Sequence, residues 1–522
     1  MQSLPKSLFL FVFCLPLAVV LGVLLATPLD QTTMTVVGCG LLLLLTPFLL
    51  TGHHTLLILS WNALVNAFFL PGKPYIWMLM TAVSLFFIVL TATLNRGKMK
   101  LIIVPSVAWP LVIFAVITYI TAELTGGVGL NSIGSEVFGG KRYIYQWAAI
   151  AGFFAISALP IDPSKRQFLA AGFYLSSITG VVSNIAFMLG ENFYFLFLLF
   201  PVEWAITQVA SETMVGGGFS RIGGLSPASL GVVCFFLVRY GIRGTFDLRK
   251  PWRAIIFSAT IAAGLFSGFR VTLVLTVLLF VVQFIAEGLH RTRYLLIGAM
   301  ATILLAVTVL PFADRLPTSV QRCLTILPIE LDAAAVENAR TSTDWRLEMW
   351  RAVLPDVPQY LWLGKGYALD PKDLYFAQSH ISRRVDAGYE SSMVAGDYHN
   401  GPLTLIIPFG IWGVLAFVAF VIASIRVLWR NFKYGDPEIA NINRFNLTAF
   451  VVHLIFFLVV FGAFYIDLAR FVGIVGLSIA MNRGVASPAL APVPVTETEP
   501  EPEPEAPLGG RLQPAFRGGL RA

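Results

Sequence analysis

Long apolar runs separated by short polar turns dominate this chain from its start to about residue 483. Runs near 8–29, 33–51, 54–70, 75–94, 101–122, 143–160, 168–190, 228–242, 254–268, 271–288, 294–312, 402–425, 445–465 and 468–482 approach the length a helix needs to cross about 30 Å of hydrocarbon. The pattern predicts an all-α fold, a polytopic integral membrane helical bundle of about 12–14 transmembrane helices with one large periplasmic loop. The runs within 33–70 and at 254–268 are short or interrupted, the former by Pro47, His53, His54 and Asn62.

Lys and Arg recur in every second connection. With Lys6 inside, the inside connections carry Arg96, Lys98 and Lys100; Lys165 and Arg166; Arg239, Arg243, Arg249, Lys250 and Arg253; Arg291 and Arg293; and Arg426, Arg430, Lys433 and Arg444. The intervening ones hold only Lys73, Lys141, Arg142, Arg221, Arg270 and Arg470. Basic loops stay on the cytoplasmic side, so both termini are expected there and the long loop is expected in the periplasm. The resulting division is 1–312 for the N-terminal helices with their outer-face arginines, 313–400 for the periplasmic loop, 401–483 for the C-terminal helices and 484–522 for a disordered cytoplasmic tail. In the tail, alternating Pro and Glu cannot bury apolar surface. The first run begins like a signal peptide, but Ala26-Thr-Pro-Leu-Asp30 is a poor cleavage site and the alternation needs it as an anchor.

Composition agrees with a membrane protein: 57% of residues are hydrophobic and 12% charged, which excludes a soluble domain with an ordinary surface. The net charge of +7 is dispersed among turns, which argues against a nucleic-acid partner. Cys14, Cys39 and Cys234 lie in apolar runs and Cys323 is alone in the outer loop, so no intramolecular disulfide and no zinc site are expected. No phosphate loop, dinucleotide fingerprint or metalloprotease motif occurs. Neither a cofactor nor a metal is therefore expected, and ATP hydrolysis is unsupported.

Polar chemistry collects on the predicted outer face. His399 lies in Tyr398-His-Asn-Gly-Pro-Leu-Thr-Leu-Ile-Ile-Pro-Phe-Gly-Ile-Trp-Gly413, where a polar loop re-enters a span and an imidazole can exchange protons near neutral pH. Arg221 precedes Ser226 and Pro227, which read as the N-cap and first turn of a helix. Arg270 sits at an outer turn between two spans. A guanidinium beside a helix N-terminus suits an anion, although an isolated arginine can equally snorkel to lipid phosphates, and a lone histidine can equally be a structural donor. In the loop, Ser342 to Pro355 predicts a short helix with Trp345, Met349, Ala352 and Val353 on one face. This helix and the polar stretch with Arg383, Arg384, Asp386 and Asp397 suit a lid or a docking surface. His453 reads as the lone ionisable group deep in the spans, which argues against alternating access.

His399-Asn400, nine residues, then Gly410-x-x-Gly413 resembles the signature of bacterial O-antigen ligases and the related O-antigen polymerases. Arg221-Ile-Gly-Gly-Leu-Ser-Pro227 is similar to the family's Arg-x-x-Gly segment, Ser267-Gly-Phe-Arg270 to its Ser-x-x-Arg turn, and Arg346-x-x-x-Trp350 with Gly364-x-Gly366 to its outer loop. The resemblance extends from about 215 to 425. It implies a multi-pass glycosyltransferase of the bacterial inner membrane, acting on the periplasmic face. The donor would be an undecaprenyl-diphosphate-linked glycan, and the acceptor a hydroxyl on lipid A-core, on another glycan or on a protein. His399 would be the general base, with Arg221 and Arg270 binding diphosphate and Asn400 and Arg346 contacting substrate. Asp397 or Tyr398 would orient the imidazole. Pro227-Ala-Ser stands where members often carry Asn-Pro-Asn, which leaves the acceptor open. A polymerase of the same family is the alternative subclass, and a flippase for the same lipid the alternative class.

Overall fold

The computed structural model describes residues 31–70, 72–94, 101–126, 140–214, 221–368, 392–393 and 396–488, with isolated positions between 15 and 22. Most of the first apolar run, Lys6, Cys14, Arg96, Lys98, Lys100, Arg383, Arg384, Asp386 and the tail beyond 488 lie outside the described residues.

The described chain is helical, with one isolated antiparallel bridge between Asn66 and Tyr75. The first helices are α1 (Gln31–Ser60), α2 (Ile76–Leu94), α3 (Pro105–Thr125), α4 (Lys141–Ser157), α5 (Pro163–Leu175), α6 (Val182–Leu189) and α7 (Glu203–Met214). α8 (Leu225–Thr245), α9 (Trp252–Leu265), α10 (Arg270–Ala286) and α11 (Tyr294–Val309) come next. The loop contributes α12 (Thr318–Leu324), α13 (Ala333–Val353) and α14 (Val357–Tyr360). α15 (Gly401–Tyr434), α16 (Ala440–Ile455) and α17 (Phe464–Asn482) end the bundle. Among the described residues nine helical stretches are long and apolar enough to cross a membrane, and α9 and α10 are shorter apolar helices. The expected all-α membrane architecture is what forms.

Polar residues that interrupt the runs are absorbed by hydrogen bonds between helices. The expected runs at 33–51 and 54–70 share the helical element α1, which continues through Pro47 to Ser60. His53 Nδ1 meets Ser84 Oγ at 2.9 Å, and His54 Nε2 donates to Ile156 O at 2.8 Å. Beyond α1, Asn62 Nδ2 donates to Phe173 O at 2.8 Å. Such bonds replace the water that the hydrocarbon phase lacks. The most extensive packing is that of α17 on α4, followed by α15 on α3 and α8 on α9.

One break matters for the site. Within α15, Gly410 takes φ +60°, and a Cβ there would fall 2.7 Å from Leu361 O. Pro408 and this left-handed residue free backbone groups that the long loop then satisfies: Lys365 N donates to Ile407 O at 2.7 Å, Gly366 N to Pro408 O at 3.0 Å, and Ile411 N to Leu361 O at 2.7 Å. Gly364 lies so close that a Cβ would sit 2.1 Å from Pro408 O. The two spaced-glycine motifs are therefore halves of one joint between loop and span.

Candidate functional site

The turns before α8, between α9 and α10, before α15 and between α16 and α17 gather at one end of the bundle with the start of α4. The opposite end holds basic turns, tied by Arg166 to Asp436 at 2.7 Å.

His399 anchors the site. Its φ of +51° is a conformation that a non-glycine residue adopts only when its surroundings compel it. Asn400 supplies one constraint, capping α15 as its Oδ1 accepts from Leu403 N at 3.1 Å. Trp350 supplies another, its Nε1 donating to Tyr398 O at 2.8 Å. The ring lies edge-on to Trp345 and Phe461, with centroids 5.2 and 4.9 Å away. Its Nδ1 is 3.1 Å from Asp397 Oδ1, and its backbone N–H reaches the same oxygen at 3.3 Å. With the proton on Nδ1 facing the carboxylate, Nε2 presents a lone pair. Burial opposes ionisation of Asp397, but the hydrogen bond and charge of His399, with Arg142, outweigh it and hold the carboxyl below its usual range.

Arginines line the neighbouring space. The Arg221 guanidinium lies over the Phe269 ring, 4.5 Å from its centroid, against Gly268, where a Cβ would crowd its side chain at 3.0 Å. Arg270 donates from Nη2 to Thr343 Oγ1 at 3.0 Å, so the turn reaches α13. Arg346, on α13, lies 5.9 Å from the Phe461 centroid. Arg322, on α12, donates to Gly268 O and is buried, with its Nε lacking a partner among the described residues. Burial, then the charges of Arg221, Arg270 and Arg346, depress Arg322 to about 9, still cationic at neutral pH. Arg346 is depressed by burial and by Arg270, while Asp397 pulls it the other way. Burial raises the Cys323 thiol to about 11 despite these cations, so it stays a neutral thiol, with Sγ 3.4 Å from Leu265 O.

On another side, Arg142 at the start of α4 is 9% exposed. Its guanidinium lies 4.4 Å from the Tyr465 ring and 5.6 Å from that of Tyr367, and its Nη1 would be 3.2 Å from a Cβ on Gly396. His453 is not alone: its Nε2 lies 3.1 Å from Asp467 Oδ1, which also accepts from Arg470 Nη1 at 3.0 Å. Asp467 Oδ2 accepts from Ala463 N at 2.8 Å, bracing the turn that follows the π-helix Phe456–Val460 and carries Phe461 to His399. The pair eluded the sequence because its members lie on helices either side of that break.

The structure thus brings Arg221, Arg270, Arg346, His399 and Asn400 to one end, and it corrects smaller expectations. α8 begins at Leu225 behind Gly224, so Ser226 is not the cap; its Oγ accepts from Thr272 Oγ1 at 2.7 Å and ties α8 to α10. α13 begins at Ala333, capped by Asp332, because the Ala-rich stretch upstream of Ser342 favours helix. On it Met349 and Val353 are buried and Ala352 is exposed. Of the two proposed orienting groups, Asp397 faces the imidazole; the Tyr398 carbonyl is held by Trp350 instead. Arg322 and Arg142 were missed: the first reads as one polar residue in a long loop, the second as half of a Lys-Arg pair at a span's end.

No metal-holding group of His, Cys, Asp and Glu occurs among the described residues. No curated protein matches the chain. Residues 254–418 match the family model described as O-antigen ligase, a segment that contains Arg270, Arg322, Arg346, Asp397, His399 and the Gly410 break. That match spans under a third of the chain and shows that this segment is similar to the O-antigen ligase family.

Proposed function

We propose that this protein transfers a glycan from an undecaprenyl-diphosphate donor to an acceptor hydroxyl on the periplasmic face, as an O-antigen ligase-type enzyme. The observation that supports the reading is a convergence of guanidinium groups: Arg322 feels the charges of Arg221, Arg270 and Arg346, and Arg346 feels that of Arg270, with Asp397 the acidic group acting on Arg346. Like charges about 6 Å apart repel by about 3 kcal/mol at an effective dielectric of about 20, so the cluster is suited to an anion of more than one charge. Diphosphate meets that description, and forked guanidinium donors match its oxygens.

The chemistry follows from the residues. The arginines bind the diphosphate and neutralise charge as the sugar C1–O bond breaks and its electron pair leaves on the undecaprenyl diphosphate. His399 Nε2 removes the proton from the acceptor hydroxyl as its oxygen bonds to C1, most simply with inversion. Asp397 fixes the tautomer and stabilises the imidazolium. Asn400 sets the start of α15 and keeps its Nδ2 for substrate. The driving force resides in the donor linkage, so the step needs neither nucleotide nor metal.

The test is direct. Purified protein in lipid, given an undecaprenyl-diphosphate glycan and candidate acceptors with EDTA and no nucleotide, should form a new glycosidic bond. One glycan on a distinct acceptor marks a ligase, and a ladder of lengthening lipid-linked chains marks a polymerase. Donor that changes leaflet with its covalent structure intact, across a broad set of acceptors, would replace the enzyme with a flippase.

A further inference from the structure

We propose that Arg142 is a positioning residue for the Asp397–His399 pair, a fixed cation supplied by α4 to keep the carboxylate charged and in place. The inference rests on the reading of His399 as the base.

Three observations carry it. First, Arg142 is buried, yet no carboxylate lies within ion-pair distance of it among the described residues, and its Nη1 has no hydrogen-bond partner among them. Such burial is unfavourable unless the charge does something elsewhere. Second, its neighbours fix it rather than neutralise it: Tyr465 lies beneath the guanidinium plane at 4.4 Å and Tyr367 flanks it at 5.6 Å. Tyr367 is itself clamped, its hydroxyl accepting from Gln146 Nε2 at 3.1 Å and its N–H donating to Tyr143 Oη at 2.7 Å. Third, Nη1 lies against the backbone at Gly396, where even a methyl group would come within 3.2 Å, and Gly396 is bonded to Asp397.

The charged and titratable groups acting on Asp397 are then His399 from its own turn, Arg142 from α4, Arg346 from α13 and Tyr465 from α17. Arg346 also faces the arginine cluster and is available to a bound anion. When a diphosphate draws on Arg346, Arg142 is the cation left to Asp397. A carboxylate that stays ionised through the cycle keeps the proton of His399 on Nδ1 and the lone pair on Nε2.

The sign of the effect is fixed. Loss of a nearby cation makes protonation of Asp397 easier, and with it the loss of the carboxylate that holds the ring, so the acid limb of kcat/KM moves to higher pH. Arg142→Gln should move it up by roughly half to one unit and lower kcat about tenfold or more, with undecaprenyl diphosphate binding within about twofold of wild type. Arg142→Lys, which keeps the charge and loses the planar stack, should restore the acid limb. If Arg142→Gln does not fold, Tyr465→Phe carries the test. It keeps the ring beneath the guanidinium and removes the hydroxyl, through which Tyr465 also interacts with Arg142, and should lower kcat with donor binding intact. An unmoved acid limb with wild-type kcat in Arg142→Gln, or a wild-type kcat in Tyr465→Phe where that variant carries the test, overturns the inference while leaving the transferase reading standing. Wild-type protein that neither binds undecaprenyl diphosphate nor transfers glycan overturns the reading beneath it.

Discussion

Oδ1 of Asp397 receives His399 twice, from the ring Nδ1 at 3.1 Å and from the backbone N–H at 3.3 Å. One carboxylate oxygen therefore sets the rotamer of the ring and the left-handed conformation of the residue that bears it. Asp397→Asn removes the charge and leaves an amide that can hold the wrong tautomer. Transfer should fall by about two orders of magnitude or more, as for loss of the base itself in His399→Ala. Abundance and melting temperature should stay close to wild type in both. Turnover in Asp397→Asn within a few-fold of wild type would remove Asp397 from the mechanism.

The arginine cluster predicts a pH signature of binding. Burial and then the neighbouring guanidinium groups disfavour the charge of Arg322 and push its pKa down to about 9. A bound anion reverses that disfavour, so the complex holds the proton to higher pH. Affinity for undecaprenyl diphosphate should be flat below about pH 8 and fall toward tenfold per unit above pH 9. Calorimetry in buffers of different ionisation enthalpy should register proton uptake there. Arg322→Gln should weaken binding and abolish the uptake; a variant that retains both would exclude Arg322 from the anion site.

The break in α15 predicts a stability effect. Gly410→Ala places a methyl group against Leu361 O and imposes φ +60° on a residue that resists it. A loss of about 1–3 kcal/mol is expected, read as a lower melting temperature and faster proteolysis of the outer loop. Wild-type values for both would show that the joint yields.

Sidedness is testable at described, exposed positions. If the basic helix ends face the cytoplasm, Leu248→Cys, at a position 91% exposed, should resist an impermeant thiol reagent applied from the periplasm. Glu330→Cys in the outer loop should react. The reverse pattern would put His399 in the cytoplasm and end the proposed mechanism.

How much of this was legible in the sequence differs by kind of signal. The spans could be read because apolar length is a local property, Arg221, Arg270 and His399 because each sits in a short motif at the end of a span, and Arg346 because it sits in a short motif of the long loop. Asp397 stood two residues from the base, so its candidacy needed only proximity. Arg322 gave no such signal: it matters because α12 folds against the α9–α10 turn, 54 residues away, and no local pattern encodes that contact. Arg142 was hidden differently, since a basic residue at a span's end serves topology equally well. His453 looked solitary because its partner lies beyond a helix break that hydrophobicity does not mark.

The bonds between Leu361–Gly366 and Ile407–Ile411 bear on how this chain can be recombined with its relatives. A crossover placed between the loop and α15 would pair a loop from one parent with a kinked helix from another, and any mismatch would strand carbonyls and N–H groups beside lipid. Recombination is safest outside residues 361–411. The glycines and the histidine between those limits are therefore expected to travel together as one heritable block, and α13, which holds the Tyr398 carbonyl through Trp350, is expected to travel with them.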